Sequence, residues 1–204
     1  MLSLVWIGTE VAGGSTNLEV LRQFGMRRPL WGFSEHPWRL LASLFLHYGF
    51  FHLLANLLGL GMLGVSLERS SGAPAVVFIF LFSGLCGALA SVEWAPQMAS
   101  LGASGGVFGL AGAELVMLWR LQVGTRSWRL LTSAVLLAVL ILIGGQGQLG
   151  PYTVDRHGHL GGLAGGLLAS LALRPRLDWR RAVPLLALLG VAVGWETSRG
   201  PKLF

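Results

Sequence analysis

The feature that most constrains this chain is a succession of apolar runs separated by short polar links. Runs recur at residues 50–67, 74–92, 104–119, 130–145, 159–173 and 182–195. Pro74 opens the second in the first helical turn, where a missing N–H does no harm. Glu68-Arg69, Arg120 and Arg174 close the first, third and fifth. A soluble domain carries about twice the charge found here, because only 12% of residues are charged and 53% are hydrophobic. Mean hydropathy is +0.66. These features predict an all-α polytopic membrane protein, and the length of 204 residues suits one membrane domain over 1–204 with no separate soluble domain. No solenoid repeat is visible.

The start is different. Residues 2–12 are apolar apart from Ser3, Thr9 and Glu10, and are too few for a span that needs about twenty. They read as a truncated first helix, or the true start lies upstream. No arginine-rich start or cleavage site supports a removable signal peptide. Residues 13–49 form a long connection in which Arg22, Arg27, Arg28 and Arg39 are interleaved with Trp31, Phe33, Trp38 and Phe45, the pattern of a segment at the headgroup level.

Fifteen basic residues against nine acidic give a net charge of +6. Three links between the runs are basic: Arg69; Arg120, Arg126 and Arg129; and Arg174, Arg176, Arg180 and Arg181, whereas the intervening links carry only Arg156. The positive-inside rule puts these links in the cytoplasm. The first long loop, residues 93–103 and the C-terminal tail then face outside, although the four arginines of that loop run against the rule. Nucleic-acid binding would want a basic polar face, which is not visible, so no nucleic-acid partner is expected. Cys86 has no partner for an internal disulfide and reads as a packing residue.

Depth brings three runs into register. Ser104 lies sixteen residues before Arg120, His159 fifteen before Arg174 and Asn56 thirteen before Arg69. These separations are roughly 24, 22 and 20 Å of helix. With the arginines at one interface, all three polar residues sit several ångströms below the other surface of a core about 30 Å thick. Glycine patterns support close packing there. Gly105, Gly109 and Gly112 recur at three- to four-residue spacing, Gly162 and Gly166 share a face with His159, and Gly161 and Gly165 repeat that spacing. Such stripes let membrane helices approach closely, which a serine–histidine pair requires, and they also serve as plain packing devices.

Gly102 and Gly105 leave the Ser104 backbone N–H approachable at a helix N-terminus, which offers partial positive charge to an oxyanion. His157 points away from His159 on a helix, and His159 is preferred because it shares the glycine face. His52 and Asn56, spaced i, i+4, share a face as well. They are either side-chain donors to an oxyanion or a buried polar link between helices. Glu114, ionisable and in mid-helix, is by default a functional candidate, but only six residues from Arg120 it is expected instead to reach toward the basic interface. A metal site needs three or four ligands. His47, His52, His157 and His159 make a poor set without HExxH or a carboxylate near His52, so no metal or other cofactor is expected.

Trp38-Arg39, His47, His52-x-x-x-Asn56, Glu68-Arg69, Gly102-x-Ser104-Gly105 and His159-x-x-Gly162-x-x-x-Gly166 follow one another on separate runs. In this order they resemble the rhomboid family of intramembrane serine proteases, over about residues 37–173. Gly-x-Ser-Gly alone is shared with soluble hydrolases; the ordered set is far more specific. The resemblance implies a rhomboid-like bundle of six core helices, the first short or truncated here, with an extra C-terminal helix at 182–195. It implies a Ser104–His159 dyad without a third acid, and an oxyanion held by the Ser104 N–H with His52 and Asn56. It also implies Phe108 packed on His159, dyad helices in contact at Gly162 and Gly166, and a Trp38-Arg39 loop partly in the outer leaflet. Substrates would be single-span membrane proteins in the lipid bilayer, cut near the outer end of the helix where it unwinds. The expected location is a bacterial inner (plasma) membrane, as a multi-pass protein with the site opening to the extracytoplasmic side. The rival is an inactive rhomboid-like protein that binds or escorts membrane clients, but such relatives usually lack the serine or the histidine. A transporter would want polar residues at the midplane with repeat symmetry.

Overall fold

The computed structural model describes residues 1–27, 36–120, 154–174 and 176–199. Within them the chain is helical: α1 (Leu2–Val11), α2 (Leu18–Gln23), α3 (Arg39–Ala42), α4 (Gly49–Ser71), α5 (Ala73–Trp94), α6 (Ser104–Arg120), α7 (Arg156–Ala169) and α8 (Trp179–Ser198). Tight turns at Ser43–Phe45 and Ser170–Ala172 extend α3 and α7, and a two-residue hairpin, Leu173–Arg174 with Arg176–Leu177, leads into α8. The run expected at 130–145 lies outside the described residues, as do Arg126 and Arg129.

α4 and α5, of 23 and 22 residues, are each long and apolar enough to cross a bilayer. α6 and α7 are shorter, 17 and 14 residues. α5 packs against α6 and α7, and α4 closes over α5 and α6. Leu63, Leu67, Ile79, Leu110 and Leu173 fill the core between them. The glycine stripes meet where their spacing predicts contact. A Cβ on Gly162 would overlap the Gly105 carbonyl, and one on Gly166 the Gly109 carbonyl. On the neighbouring face a Cβ on Gly165 would come within 2.8 Å of Cys86 Cβ, so the lone cysteine packs between α5 and α7. The other end of the pair is tied as well. Arg120 Nη1 donates to Ser170 O at 2.9 Å and to Leu173 O at 3.1 Å.

Several expectations are corrected. Glu114 does not reach toward the basic interface; it is 1% exposed and accepts from Ser66 Oγ at 2.7 Å, joining α6 to α4. Six residues turn a helix through about 600°, so Glu114 faces α4 while Arg120 turns toward α7. The first loop does not simply present its arginines to headgroups. Arg27 is 2% exposed. Arg39 lies over the Trp38 ring at 4.8 Å and donates through Nη1 to Arg22 O at 2.7 Å and Met26 O at 3.0 Å, holding α2 onto α3. Trp38 is the exposed member of that pair. These two charges are taken up inside the protein, which removes much of the loop's conflict with the positive-inside rule. The connection at 13–49 also contains two short helices, α2 opening on an Asn17 cap that accepts from Glu19 N at 3.0 Å. α7 begins three residues before His159 because Asp155 caps it, and it passes into the tight turn after Ala169.

Candidate active site

The serine sits where three hydrogen bonds pin the link between α5 and α6. The Arg27 N–H donates to Ser100 O at 3.2 Å and the Gly102 N–H to Ser43 O at 2.9 Å. The Ala103 N–H donates to His47 Nε2 at 3.4 Å. His47 is fully buried, and burial, with the neighbouring His52 adding to it, lowers its pKa to about 3, so it remains a neutral acceptor. Gly102 has φ +125, and a Cβ there would stand 2.8 Å from His52 Cε1. That position needs glycine on both counts. α6 then starts at Ser104 itself, and the Val107 N–H closes the first α turn on Ala103 O. The N–H groups of that first turn, Ser104 and Gly105 among them, have no partner four residues back.

α7 brings the histidine. His159 Nε2 lies 2.8 Å from Ser104 Oγ. Phe108, one turn along α6, stacks on the imidazole with centroids 4.4 Å apart and planes at 15°. The contact follows from packing, since the backbones touch at Gly105, the residue after Ser104, and at Gly162, one turn beyond His159. His157 turns the other way, its ring 6.4 Å from Trp94.

α4 supplies the third element. His52 Nδ1 accepts from the Tyr48 N–H at 3.3 Å, so a neutral ring keeps its proton on Nε2. That edge faces the Gly102 turn, 2.9 Å from where a Cβ would stand. The His47 and His52 rings meet edge to face at 5.1 Å. Asn56 is buried, and its Nδ2 donates back to His52 O at 2.9 Å, leaving its second amide hydrogen uncommitted by that bond. Trp38 and Arg39 lie in the first loop and act on its shape. Among the described residues no three His, Cys, Asp or Glu side chains gather as a metal set.

One group was missed. The Asp155 side chain accepts from the Gly158 N–H at 2.8 Å and from Ser100 Oγ at 2.6 Å, and also from Ser91 Oγ. Arg27 stands 3.9 Å from the same carboxylate and donates to Ser91 Oγ. The available signal was an aspartate one helical turn before the histidine, in a position to cap its helix.

A hydroxyl held on an imidazole nitrogen at a helix N-terminus is the arrangement of an activated nucleophile with oxyanion donors beside it. The Rhomboid domain family model matches residues 34–176. Rhomboid protease GluP of Bacillus subtilis (strain 168) is 34% identical over 195 residues, 94% of this chain and 38% of that protein. RHOMBOID-like protein 7 of Arabidopsis thaliana is 37% identical over 160 residues, 73% of this chain and 48% of that protein. Inactive rhomboid protein 1 of Rattus norvegicus is also similar, 34% identical over 145 residues, 70% of this chain and 16% of that protein. The chain spans less than half the length of each of these curated relatives.

Proposed function

The chain belongs to the rhomboid family of integral membrane proteins, and we propose that it is a serine endopeptidase that cuts transmembrane segments with a Ser104–His159 dyad. The observation that carries this reading is the 2.8 Å contact between Ser104 Oγ and His159 Nε2. Ser104 Oγ attacks the scissile carbonyl carbon as its proton passes to His159 Nε2. The Ser104 N–H, the His52 Nε2–H and the free amide hydrogen of Asn56 receive the oxyanion. Collapse breaks the C–N bond, and His159 returns the proton to the leaving amine. Water then attacks the acyl-serine, with His159 again taking and returning a proton. Phe108 keeps the imidazole plane fixed through both steps, and the stacking distance supports that role.

The depth inferred for the dyad supports a substrate class. The dyad sits at one end of short helices flanked by bilayer-length ones, which supports a scissile bond supplied by a membrane segment. A helical peptide bond is enclosed by its own hydrogen bonds, which favours single-span substrates whose helix unwinds at small residues. The basic links at the far end, Arg69 and Arg120 among them, support a cytoplasmic far end and a site open to the extracytoplasmic side of a bacterial plasma membrane. The inactive relative keeps a second reading in view, a client-binding protein. The presence of both Ser104 and His159 weighs against it.

The test is reconstitution into vesicles with a single-span reporter, followed by mass spectrometry of the products. New termini inside the apolar segment that vanish with Ser104→Ala support the protease. Co-purification of the reporter, uncut by either protein, supports the client binder. Asn56→Ala should reduce kcat by about tenfold to a hundredfold, since one of several oxyanion donors is lost. An unchanged kcat with a lowered unfolding temperature would make Asn56 a structural link only.

A further inference from the structure

Asp155 lies outside the dyad and its oxyanion donors, yet four segments converge on it. Its Oδ1 accepts from the Gly158 N–H in the first turn of α7, and its backbone carbonyl accepts from the His159 N–H at 3.1 Å. Its Oδ2 accepts from Ser91 Oγ at the end of α5 and from Ser100 Oγ in the link that leads to Ser104. The Arg27 guanidinium of the first loop, 3% exposed at its side chain, lies 3.9 Å from Oδ2 and bonds to Ser91. Arg27 also pairs its backbone with Ser100. An arginine so deeply buried loses its hydration, and its pKa is lowered to about 10 although Asp155 opposes the shift. Such a guanidinium is tolerated only beside a compensating charge. Gly158 makes room for the cluster, since a Cβ there would stand 2.8 Å from Asp155 Oδ2. The cluster therefore joins the segment carrying the serine to the turn carrying the histidine.

We propose that Asp155 is the positioning residue for His159. Its carboxylate, shared among Arg27, Ser91 and Ser100, locks the first turn of α7 to the first loop and to the α5–α6 link, and so sets the reach of the imidazole to Ser104. The proposal rests on the dyad reading above. A plain helix cap would need only the bond to Gly158, and a serine can supply that. A clamp needs the carboxylate's second oxygen and its charge.

The experiment compares wild type, Ser104→Ala, Asp155→Ser, Asp155→Asn and Arg27→Gln in vesicles. Reporter cleavage gives kcat and KM, and a fluorophosphonate that labels the active serine gives the number of competent sites and their labelling rate. Asp155→Ser should lower kcat and the labelling rate together by about a hundredfold, the effect of a misplacement near 1 Å. KM and the final labelled fraction should stay within twofold of wild type. Asp155→Asn, which keeps the cap and an acceptor for Ser100, should recover part of the rate, and Arg27→Gln should fall between the two Asp155 variants. Asp155→Ser at the wild-type kcat would overturn the proposal. So would a reduced labelled fraction with an unchanged rate per site, which marks a merely structural role. If wild type cleaves no more than Ser104→Ala, the protease reading itself fails. If Ser104→Ala alone is dead, the protease stands and the positioning role falls.

Discussion

Ser104→Ala is expected to bring cleavage of a single-span reporter below detection, and His159→Ala to do the same, while His157→Ala cleaves at the wild-type rate. In the proposed mechanism the nucleophile and its base act as one unit. Removing either from a serine protease costs about a millionfold in kcat. The remaining oxyanion donors keep only about 10³- to 10⁴-fold over water, too little to cut an amide on the timescale of an assay. The double variant should be no worse than either single one, because the loss is shared rather than additive. Ser104→Ala leaves the backbone contact between the helices in place, whereas His159→Ala also removes the stack on Phe108. Ser104 opens α6 and contacts His159 through its hydroxyl, while the backbones meet at Gly105 and Gly162. The unfolding temperature should therefore stay close to wild type for Ser104→Ala and fall modestly for His159→Ala, which loses a stacked pair worth about 0.5–1.5 kcal/mol. His157 is the internal control, since its ring lies by Trp94 on the other side of α7. Cleavage that survives Ser104→Ala, or that dies equally with His157→Ala, would refute the assignment.

The bundle is legible in the sequence because membrane helices leave long apolar signals. The runs at 50–67, 74–92 and 104–119 lie within α4, α5 and α6. The proximity of Ser104 and His159 is legible for a second reason: Gly105 beside the serine and Gly162 one turn from the histidine mark faces that can approach closely. What periodicity cannot convey is where a polar side chain finds its partner. Arg27 and Asp155 are far apart in the chain, and in sequence each is an ordinary link residue. Only folding shows that they share Ser91. Glu114 is misread for the same reason, because Arg120 is near in sequence and Ser66 is not. His47 is identified by resemblance alone, and its bond to the Ala103 N–H depends on a backbone turn that no side-chain pattern encodes. The apolar skeleton is thus a local property, whereas the polar ties that align the site are long-range.

Gly162→Ala should cost cleavage about a hundredfold or more. In a helix the change from glycine to alanine is favourable by about 0.5–1 kcal/mol when only backbone entropy counts. Here the sign reverses. The new Cβ would overlap the Gly105 carbonyl oxygen and lie 2.7 Å from the Gly105 carbonyl carbon. Both atoms are backbone of the opposing helix, so no side-chain rotation relieves the contact. Relief requires α7 to move away from α6, and overpacking of this kind costs about 1–3 kcal/mol. The same movement carries the imidazole with it, because Gly162 is one turn from His159. A shift near 1 Å at a reacting pair is worth about a hundredfold in rate. Stability and activity should therefore fall together, with the fluorophosphonate labelling rate following kcat. Gly190→Ala is the matched control. It makes the same chemical change in α8, where a Cβ meets nothing within 4 Å among the described residues, and it should leave both quantities unchanged. If Gly162→Ala were as stable and as active as Gly190→Ala, the close approach of α6 and α7 would not be what holds the serine and histidine together.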